Sequence, residues 1–123
     1  MDKFITQLPF LTPEHLTLAA DMETFVRLEV EPSAIEERDV DARLREYVSM
    51  LAEAGVLRYA VAAPGANLDV RALCLIREAL AYSSPLADVA FVMQGLGTYA
   101  ISQAAPEHVR DFWLSRWQKP RRC

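Results

Sequence analysis

Apolar residues recur at helical spacing along most of this chain, with polar residues between them. The densest apolar segment follows Ser84-Pro85, and on a helical wheel it carries apolar side chains on nearly every side. One side of that wheel holds Val89, Val92, Met93, Leu96 and Ala100. The next side holds Leu86, Ala90, Gly97 and Ile101, and Phe91 lies opposite. A helix that is apolar all round is typical of a buried position, so this segment is predicted to be the central helix around which the others pack.

Capping residues predict where the earlier helices begin and end. Thr12-Pro13-Glu14 combines an N-cap residue, a proline at the first helical position and an acid in the first turn. This first helix is predicted to end before Pro32, because proline disfavours helical geometry in the residue that precedes it. A second helix is predicted to begin near Asp39 and to end at Gly55, which stands where a left-handed cap is expected.

The middle of the chain is predicted to hold a connection and a turn between helices. Val56 to Ala63 has the composition of a short strand, but no other segment offers it a partner, so an extended connection is predicted. Pro64-Gly65-Ala66-Asn67 predicts a turn, and Asp69, Ser84 and Pro106 each precede one of the remaining helices. The pattern therefore predicts one all-α domain, a bundle of about five helices. In the last helix the residues expected to face inward are Val109, Phe112 and Trp113.

Composition and charge narrow the class of protein. With 123 residues, of which 52% are hydrophobic, the chain can bury a core of its own. A net charge of -4, with a basic cluster only at 119–123, excludes an extended nucleic-acid-binding surface. No apolar run is long enough to cross a bilayer and the N-terminus lacks the pattern of a signal peptide, so a cytoplasmic location is expected. Cys74 and Cys123 match no metal spacing and are not expected to pair.

Few residues form a recognisable catalytic pattern. His15 and His108 have no second ligand at metal spacing and are interpreted as surface or helix-face histidines. Hydrolase and nucleotide-binding motifs are absent from the sequence. Asp88 lies in the first turn of the most apolar helix, where it either stabilises the helix start or contacts a substrate. Gly95 and Gly97 in the same helix indicate either close helix packing or a ligand-facing surface.

Two neighbouring motifs carry a resemblance to a known family. The residues Arg71-Ala-Leu-Cys-Leu-Ile-Arg-Glu-Ala-Leu-Ala, then Ser84-Pro-Leu-Ala-Asp-Val-Ala-Phe-Val-Met-Gln-Gly-Leu-Gly and Ile101, closely resemble the N-terminal helical domain of the acyl-CoA dehydrogenases. Leu51-Ala-Glu-Ala-Gly-Val-Leu and Pro106-Glu-His-Val-Arg-Asp-Phe-Trp-Leu resemble two further elements of that domain. The resemblance covers about residues 10 to 117. It implies a domain over 1–117, followed by an unrelated basic tail at 118–123.

The resemblance implies a function in FAD-dependent oxidation. Family members remove two hydrogens across the Cα–Cβ bond of an acyl-CoA thioester, with a carboxylate base that takes the α-proton and a flavin that accepts the β-hydride. The N-terminal helices cover one side of the acyl cavity. By this resemblance the residues expected to face the acyl chain are Asp88, Val89, Val92, Met93 and Leu96. No catalytic, cofactor-binding or metal-binding residue is assigned to this chain.

Departures from the family pattern leave three functions open. The loop Ala63-Pro-Gly-Ala-Asn lacks the acid and glycine pair usual there, and the family's middle β domain and C-terminal helical domain are expected to be missing through truncation, a shifted frame or an expression boundary. The first interpretation is an acyl-CoA dehydrogenase N-terminal domain that binds no FAD and is inactive as this chain alone. The second is an interaction module whose exposed apolar surface docks on a partner chain or a second copy. The third is an acyl-ligand carrier.

Overall fold

The computed structural model describes residues 3–34, 39–62 and 66–117, and over these residues the chain is helical without β-strands. The predicted all-α bundle is therefore confirmed. The α-helices are α1 (Pro13–Phe25), α2 (Glu31–Ala34), α3 (Val40–Glu53), α4 (Val70–Ser83), α5 (Pro85–Ala104) and α6 (Glu107–Trp117). Short 3₁₀ helices span Lys3–Gln7 and Val56–Tyr59, and a π-helical turn spans Val26–Val30.

The predicted capping residues begin the helices as expected. The Asp39 carboxylate accepts a hydrogen bond from the N–H of Ala42 at 3.0 Å, and the Ser84 hydroxyl accepts one from the N–H of Ala87 at 3.2 Å. These bonds satisfy N–H groups that have no partner inside the first turn of a helix. After α3, Gly55 has a φ of 70°, a left-handed conformation that glycine adopts without the steric penalty of a side chain. The predicted helix boundaries at these residues are confirmed.

The prediction that the first helix ends before Pro32 is wrong. Helical backbone continues from α1 through the π turn into α2, where the N–H of Glu31 donates to the carbonyl of Val26. Proline lacks an N–H and in a regular α-helix clashes with the carbonyl four residues earlier. The π turn immediately before Pro32 widens the helix at that point, so the chain can stay helical there. Residues 35–38, the rest of the predicted connection, lie outside the described residues.

The segment after Gly55 is also not extended as predicted. Val56–Tyr59 forms a 3₁₀ helix, and the N–H of Ala60 donates to the carbonyl of Leu57 at 3.0 Å. Val56, Leu57 and Ala60 are buried, so this single turn satisfies its own backbone while its side chains enter the core. The predicted turn at 64–67 lies partly outside the described residues, which resume at Ala66.

One main core joins the helices. α4 packs against both α1 and α5, and α3 packs against α5. The fully buried side chains of the α3, α4 and α5 layer include Tyr47, Leu51, Ile76, Leu80 and Phe91. Among the described residues no helix has both the length and the apolar content needed to cross a membrane.

The prediction that α5 is buried on nearly every side is wrong, although α5 does pack against α3, α4 and α6. Ala87, Ala90 and Phe91 are buried, but on another side Val89, Met93 and Leu96 are 45%, 54% and 64% exposed. The neighbouring helices α3, α4 and α6 leave that side of α5 without a cover in the described part of the chain. A helix with apolar residues on every side can be buried on every side. How much of it is buried depends on how many other elements pack around it. In α6, similarly, Leu114 is buried while Phe112 and Trp113, predicted to face inward, are exposed.

Candidate functional site

An apolar groove with a volume of about 290 Å³ lies along α5 and is partly open to solvent. Its volume is at the lower end of the range found for small-molecule pockets. One wall comes from α5, the other from α4, and the remaining residues come from the segment between α3 and α4. The lining residues are Ala60, Leu68, Leu73, Arg77, Phe91, Val92, Gly95, Leu96 and Tyr99.

Helical periodicity explains how these residues come to share one groove. Val92, Gly95 and Tyr99 follow one another at spacings of three and four, which places them along one line of α5. Leu73 and Arg77 are four residues apart and form the corresponding line on α4. Because α4 and α5 are packed together, these two lines face the same space. The two helical walls of the groove thus follow from regular helix geometry.

Gly95 allows a close approach at the groove. A Cβ atom added to Gly95 would lie 3.5 Å from both the Cβ and the carbonyl oxygen of Ala60, whereas one added to Gly97 would meet nothing within 4 Å. Gly95 therefore packs against the segment after α3 and borders the groove, while Gly97 lies on the open side of α5. Gly95 therefore serves packing against Ala60, and it also lines the groove. That either glycine faces a ligand stays a prediction.

An ion pair between α4 and α5 stands beside the groove. The guanidinium of Arg77 donates from Nε to Oδ1 of Asp88 and from Nη2 to Oδ2, both at 2.9 Å. The Asp88 side chain is 13% exposed and that of Arg77 is 52% exposed. The hydrogen bond that the Arg77 guanidinium donates to Asp88 raises the pKa of Arg77 above its usual value, against a smaller opposite effect of burial. Such a two-point pair holds the guanidinium plane in one orientation.

The structure separates the predicted acyl-facing residues into three groups. Val92 and Leu96 line the groove. Val89 and Met93 lie on the adjoining exposed side of α5. Asp88 binds Arg77 instead of standing alone at the helix start. That these five predicted acyl-facing residues contact a ligand stays a prediction.

Several groove residues were missed by reasoning from the sequence. From the sequence, no role in a site was assigned to Leu68, Leu73, Arg77 or Tyr99. The only available signal was spacing, because Arg77 follows Leu73 by four residues and Tyr99 follows Val92 by seven. That signal needs the knowledge that α4 and α5 face each other, which comes from the fold.

A second polar cluster joins the start of α1 to the start of α4. His15 is 5% exposed, and its Nδ1 atom lies 3.1 Å from the backbone nitrogen and 2.8 Å from the hydroxyl of Thr12. Since a backbone N–H can only donate, Nδ1 is an acceptor, and the neutral ring carries its hydrogen on Nε2. Nε2 then donates to Oδ2 of Asp69 at 2.8 Å. His15 is therefore a helix-face histidine, in agreement with the prediction, but a buried one with a partner on another helix.

The Asp69 carboxylate also caps α4. It accepts hydrogen bonds from the N–H groups of Arg71 at 3.0 Å and Ala72 at 3.3 Å. Burial acts to raise the pKa of Asp69, but the hydrogen bonds from His15, Ala72 and Arg71 together outweigh it and hold this pKa below its ordinary value. Arg71 in turn donates to the carbonyl of Phe10 at 2.9 Å, so the cluster ties the N-terminal segment to α4.

Comparison with known families agrees with the fold. A model of the acyl-CoA dehydrogenase N-terminal domain matches residues 12–119 of the chain. The chain therefore belongs to the acyl-CoA dehydrogenase family, as the helical bundle and the residue motifs predicted. A search among curated proteins found no significant match. The match extends slightly past residue 117, where the domain was predicted to end, and that boundary stays a prediction.

The groove does not fit a flavin dinucleotide, the cofactor that the family implies. Its volume is about 290 Å³ and Arg77 is the one charged side chain among its lining residues. A pyrophosphate is usually held by several backbone N–H donors at a helix N-terminus or glycine-rich loop, and the described lining offers no such group. These mostly apolar lining residues are suited to bind an apolar chain.

Proposed function

We propose that this domain binds the acyl chain of an acyl-CoA thioester and forms one wall of the acyl pocket in an FAD-dependent α,β-dehydrogenation. The observation that carries the proposal is the apolar groove beside Val92 and Leu96 in a chain that belongs to the acyl-CoA dehydrogenase family. An acyl chain placed there would lie against Leu73 and Phe91 and would exclude water from both walls. The role of the chain is therefore to hold and orient the substrate.

The energy available from this groove is modest. Burial of one methylene group contributes roughly 0.8 kcal/mol, so four or five methylenes contribute about 3–4 kcal/mol. That gain has to offset the translational and rotational entropy lost on association, which costs several kcal/mol. The domain by itself is expected to bind acyl chains weakly. A longer chain should bind more tightly until the groove is filled.

The exposed side of α5 supports a second part of the proposal. Val89, Met93 and Leu96 form an apolar strip next to the groove, and an exposed strip of this kind marks a surface that another protein surface covers. Such a cover would close the groove and bring Val89 and Met93 into the acyl pocket. The interaction-module hypothesis then becomes specific: α5 carries both the docking surface and the ligand site.

We further propose that the chain by itself does not carry out the oxidation. Asp88, the carboxylate beside the groove, is engaged by Arg77 through both of its oxygens, so it is poorly suited to take a proton from a substrate. In the family the flavin and the catalytic base come from other domains. The residues of this chain contribute binding, orientation and exclusion of water.

A titration with acyl-CoA thioesters of increasing chain length tests the proposal. Affinity should rise by about fourfold per added methylene and then level off. Val92→Thr keeps the shape of the side chain but places a hydroxyl in the groove, so it should weaken binding severalfold. Val89→Thr makes the same chemical change outside the groove and should leave the affinity of the isolated chain unchanged.

Two results would contradict the proposal. The first is an affinity that is independent of chain length and equal in both variants, since the chain would then bind elsewhere or only through the CoA group. The second is a flavin absorbance spectrum in the purified chain that bleaches on anaerobic addition of the acyl-CoA. That result would show that the chain contains, or assembles, a complete catalytic site.

A further inference from the structure

Arg77 is the charged residue among the groove-lining side chains that the structure describes. It lies on α4 four residues after Leu73, and its side chain is 52% exposed. A long cationic side chain can cover apolar surface with its methylene groups while its charged end stays accessible. A mostly apolar groove whose one charged lining residue is an arginine suits a ligand that has one polar position. The question is which polar group this arginine can bind.

The hydrogen bonds of the guanidinium leave part of it available. Arginine has five N–H donors on three nitrogens. Nε and Nη2 each donate to one oxygen of Asp88 at 2.9 Å, and Nη1 donates to no acceptor among the described residues. The two bonds to Asp88 fix the plane of the guanidinium and hence the direction of the remaining donors. Arg77 is therefore a donor whose orientation is set before a ligand arrives.

The charge of Asp88 restricts which acceptor is favoured. The carboxylate balances the positive charge of Arg77, and it is itself largely buried, with 13% of its side chain exposed. A ligand carboxylate at Arg77 would also be close to the negative charge of Asp88, and that repulsion is weakly screened at a partly buried site. A neutral oxygen acceptor receives the hydrogen bond without this cost.

We infer that Arg77 is a specificity-determining residue that binds a neutral oxygen acceptor on an otherwise apolar chain, with Asp88 excluding the ionised equivalent. This inference rests on the proposed acyl-chain function of the groove and names the substrate class more closely. The favoured ligand is an apolar chain that carries an uncharged carbonyl or hydroxyl oxygen. A chain that ends in a carboxylate is disfavoured.

The test compares two probes of equal length, 2-octanone and octanoate, by NMR titration of the isotope-labelled full chain at neutral pH. The wild-type chain should bind 2-octanone more tightly than octanoate. Asp88→Asn keeps the size of the side chain and one acceptor oxygen but removes the charge, so it should reverse this preference in favour of octanoate by several-fold. The double variant Arg77→Met, Asp88→Asn should bind 2-octanone about tenfold more weakly than wild type, as expected for loss of a hydrogen bond from a charged donor.

Failure of the inference differs from failure of the proposed function. A series of 2-hexanone, 2-octanone and 2-decanone reports on the groove alone. If affinity rises along this series but neither variant changes the order of 2-octanone and octanoate, the groove binds chains and the role of Arg77 is wrong. If no ketone binds at any length, the proposed function is wrong and the inference falls with it. Circular dichroism of both variants checks that the helices are intact.

Discussion

Two carboxylates connect α4 to its neighbours at the scale of single residues. Asp69 at the start of α4 binds His15 of α1, and Asp88 in the first turn of α5 binds Arg77 of α4. Exposed ion pairs usually add little to stability. These two carboxylates also lie at the start of a helix, where the macrodipole favours a negative charge. Each therefore serves both its own helix and a contact with another one.

The lowered pKa of Asp69 leads to a prediction about acid stability. Its folded-state pKa lies below the unfolded value, so the ionised carboxylate stabilises the fold at every pH above the unfolded value. That contribution is lost as the pH falls through the lowered pKa. Asp69→Asn should therefore reduce the free energy of unfolding at pH 7, and the difference from wild type should shrink as the pH is lowered below about 4.

Urea denaturation at pH 7 and at acid pH measures this difference. Asp39→Asn is the matched control, because Asp39 caps α3 in the same way but has no histidine partner among the described residues. At neutral pH, Asp39→Asn should lower the free energy of unfolding by less than Asp69→Asn does. An equal loss for Asp69→Asn at both pH values would show that the charge of Asp69 does not contribute.

At the scale of elements, α5 contributes most of the residues that line the groove. Its groove-facing line packs near Ala60 through Gly95, its buried line fills the core with Phe91, and its third side carries exposed apolar residues. The three sides of one helix therefore have three different roles. Substitutions on α5 should have effects that depend on the side and not on the residue type alone.

A pair of glycine substitutions tests this dependence. Alanine is favoured over glycine in a helix interior by about 1 kcal/mol, and Gly97 has open space for a Cβ atom. Gly97→Ala should therefore raise the free energy of unfolding by about 1 kcal/mol. Gly95→Ala should give a similar gain, because its Cβ would lie 3.5 Å from Ala60, an ordinary contact distance. The methyl group added at position 95 borders the groove, so Gly95→Ala should weaken acyl-chain binding. Gly97→Ala should not, because its methyl group lies outside the groove.

Thermal unfolding followed by circular dichroism gives the stability of both variants, and the acyl-CoA titration gives their affinities. A loss of stability in Gly95→Ala alone would mean that α5 cannot move the small distance needed beside Ala60. A loss of affinity in Gly97→Ala would mean that ligands bind to the open side of α5 and not in the groove.

At the scale of the whole molecule, the exposed strip on α5 is the largest departure from the expected burial. Val89, Met93 and Leu96 are exposed, although Ala90 and Phe91 of the same helix are buried. In the proposed function this strip is a contact surface, because exposed apolar patches often mark interaction sites. This fits a domain whose ligand site is completed by another protein surface.

An apolar fluorescent dye should report this strip. Met93→Glu places a charge in its centre and should reduce dye fluorescence severalfold, while the unfolding midpoint should change little because Met93 is exposed. Tyr82→Glu is the control, since Tyr82 is an exposed apolar residue on α4. Equal dye binding by both variants and the wild type would mean that the strip is not the apolar contact surface of this chain.

What could be predicted from the sequence is the part of the structure that depends on short stretches of chain. The caps at Asp39, Asp69 and Ser84 and the left-handed Gly55 were predicted because each satisfies its own first or last turn. The all-α class follows from the same local patterns, whereas the family was predicted from the resemblance of its motifs and is shown by the family match. Val92 and Leu96, predicted to lie on one apolar side of α5 together with Val89 and Met93, both line the groove. Their contact with an acyl chain stays a prediction.

The tertiary structure decided which of those local patterns are buried and which meet. The Arg77–Asp88 pair, the approach of Gly95 to Ala60 and the exposure of Met93 all depend on where a second element lies. The physical reason is that a hydrogen bond within one helical turn needs only its own residues, whereas burial depends on the number of neighbours around a side chain. The sequence by itself therefore determined the helical class and the helix boundaries at Asp39, Gly55, Asp69 and Ser84, and only the packing of α4 against α5 made a groove between them.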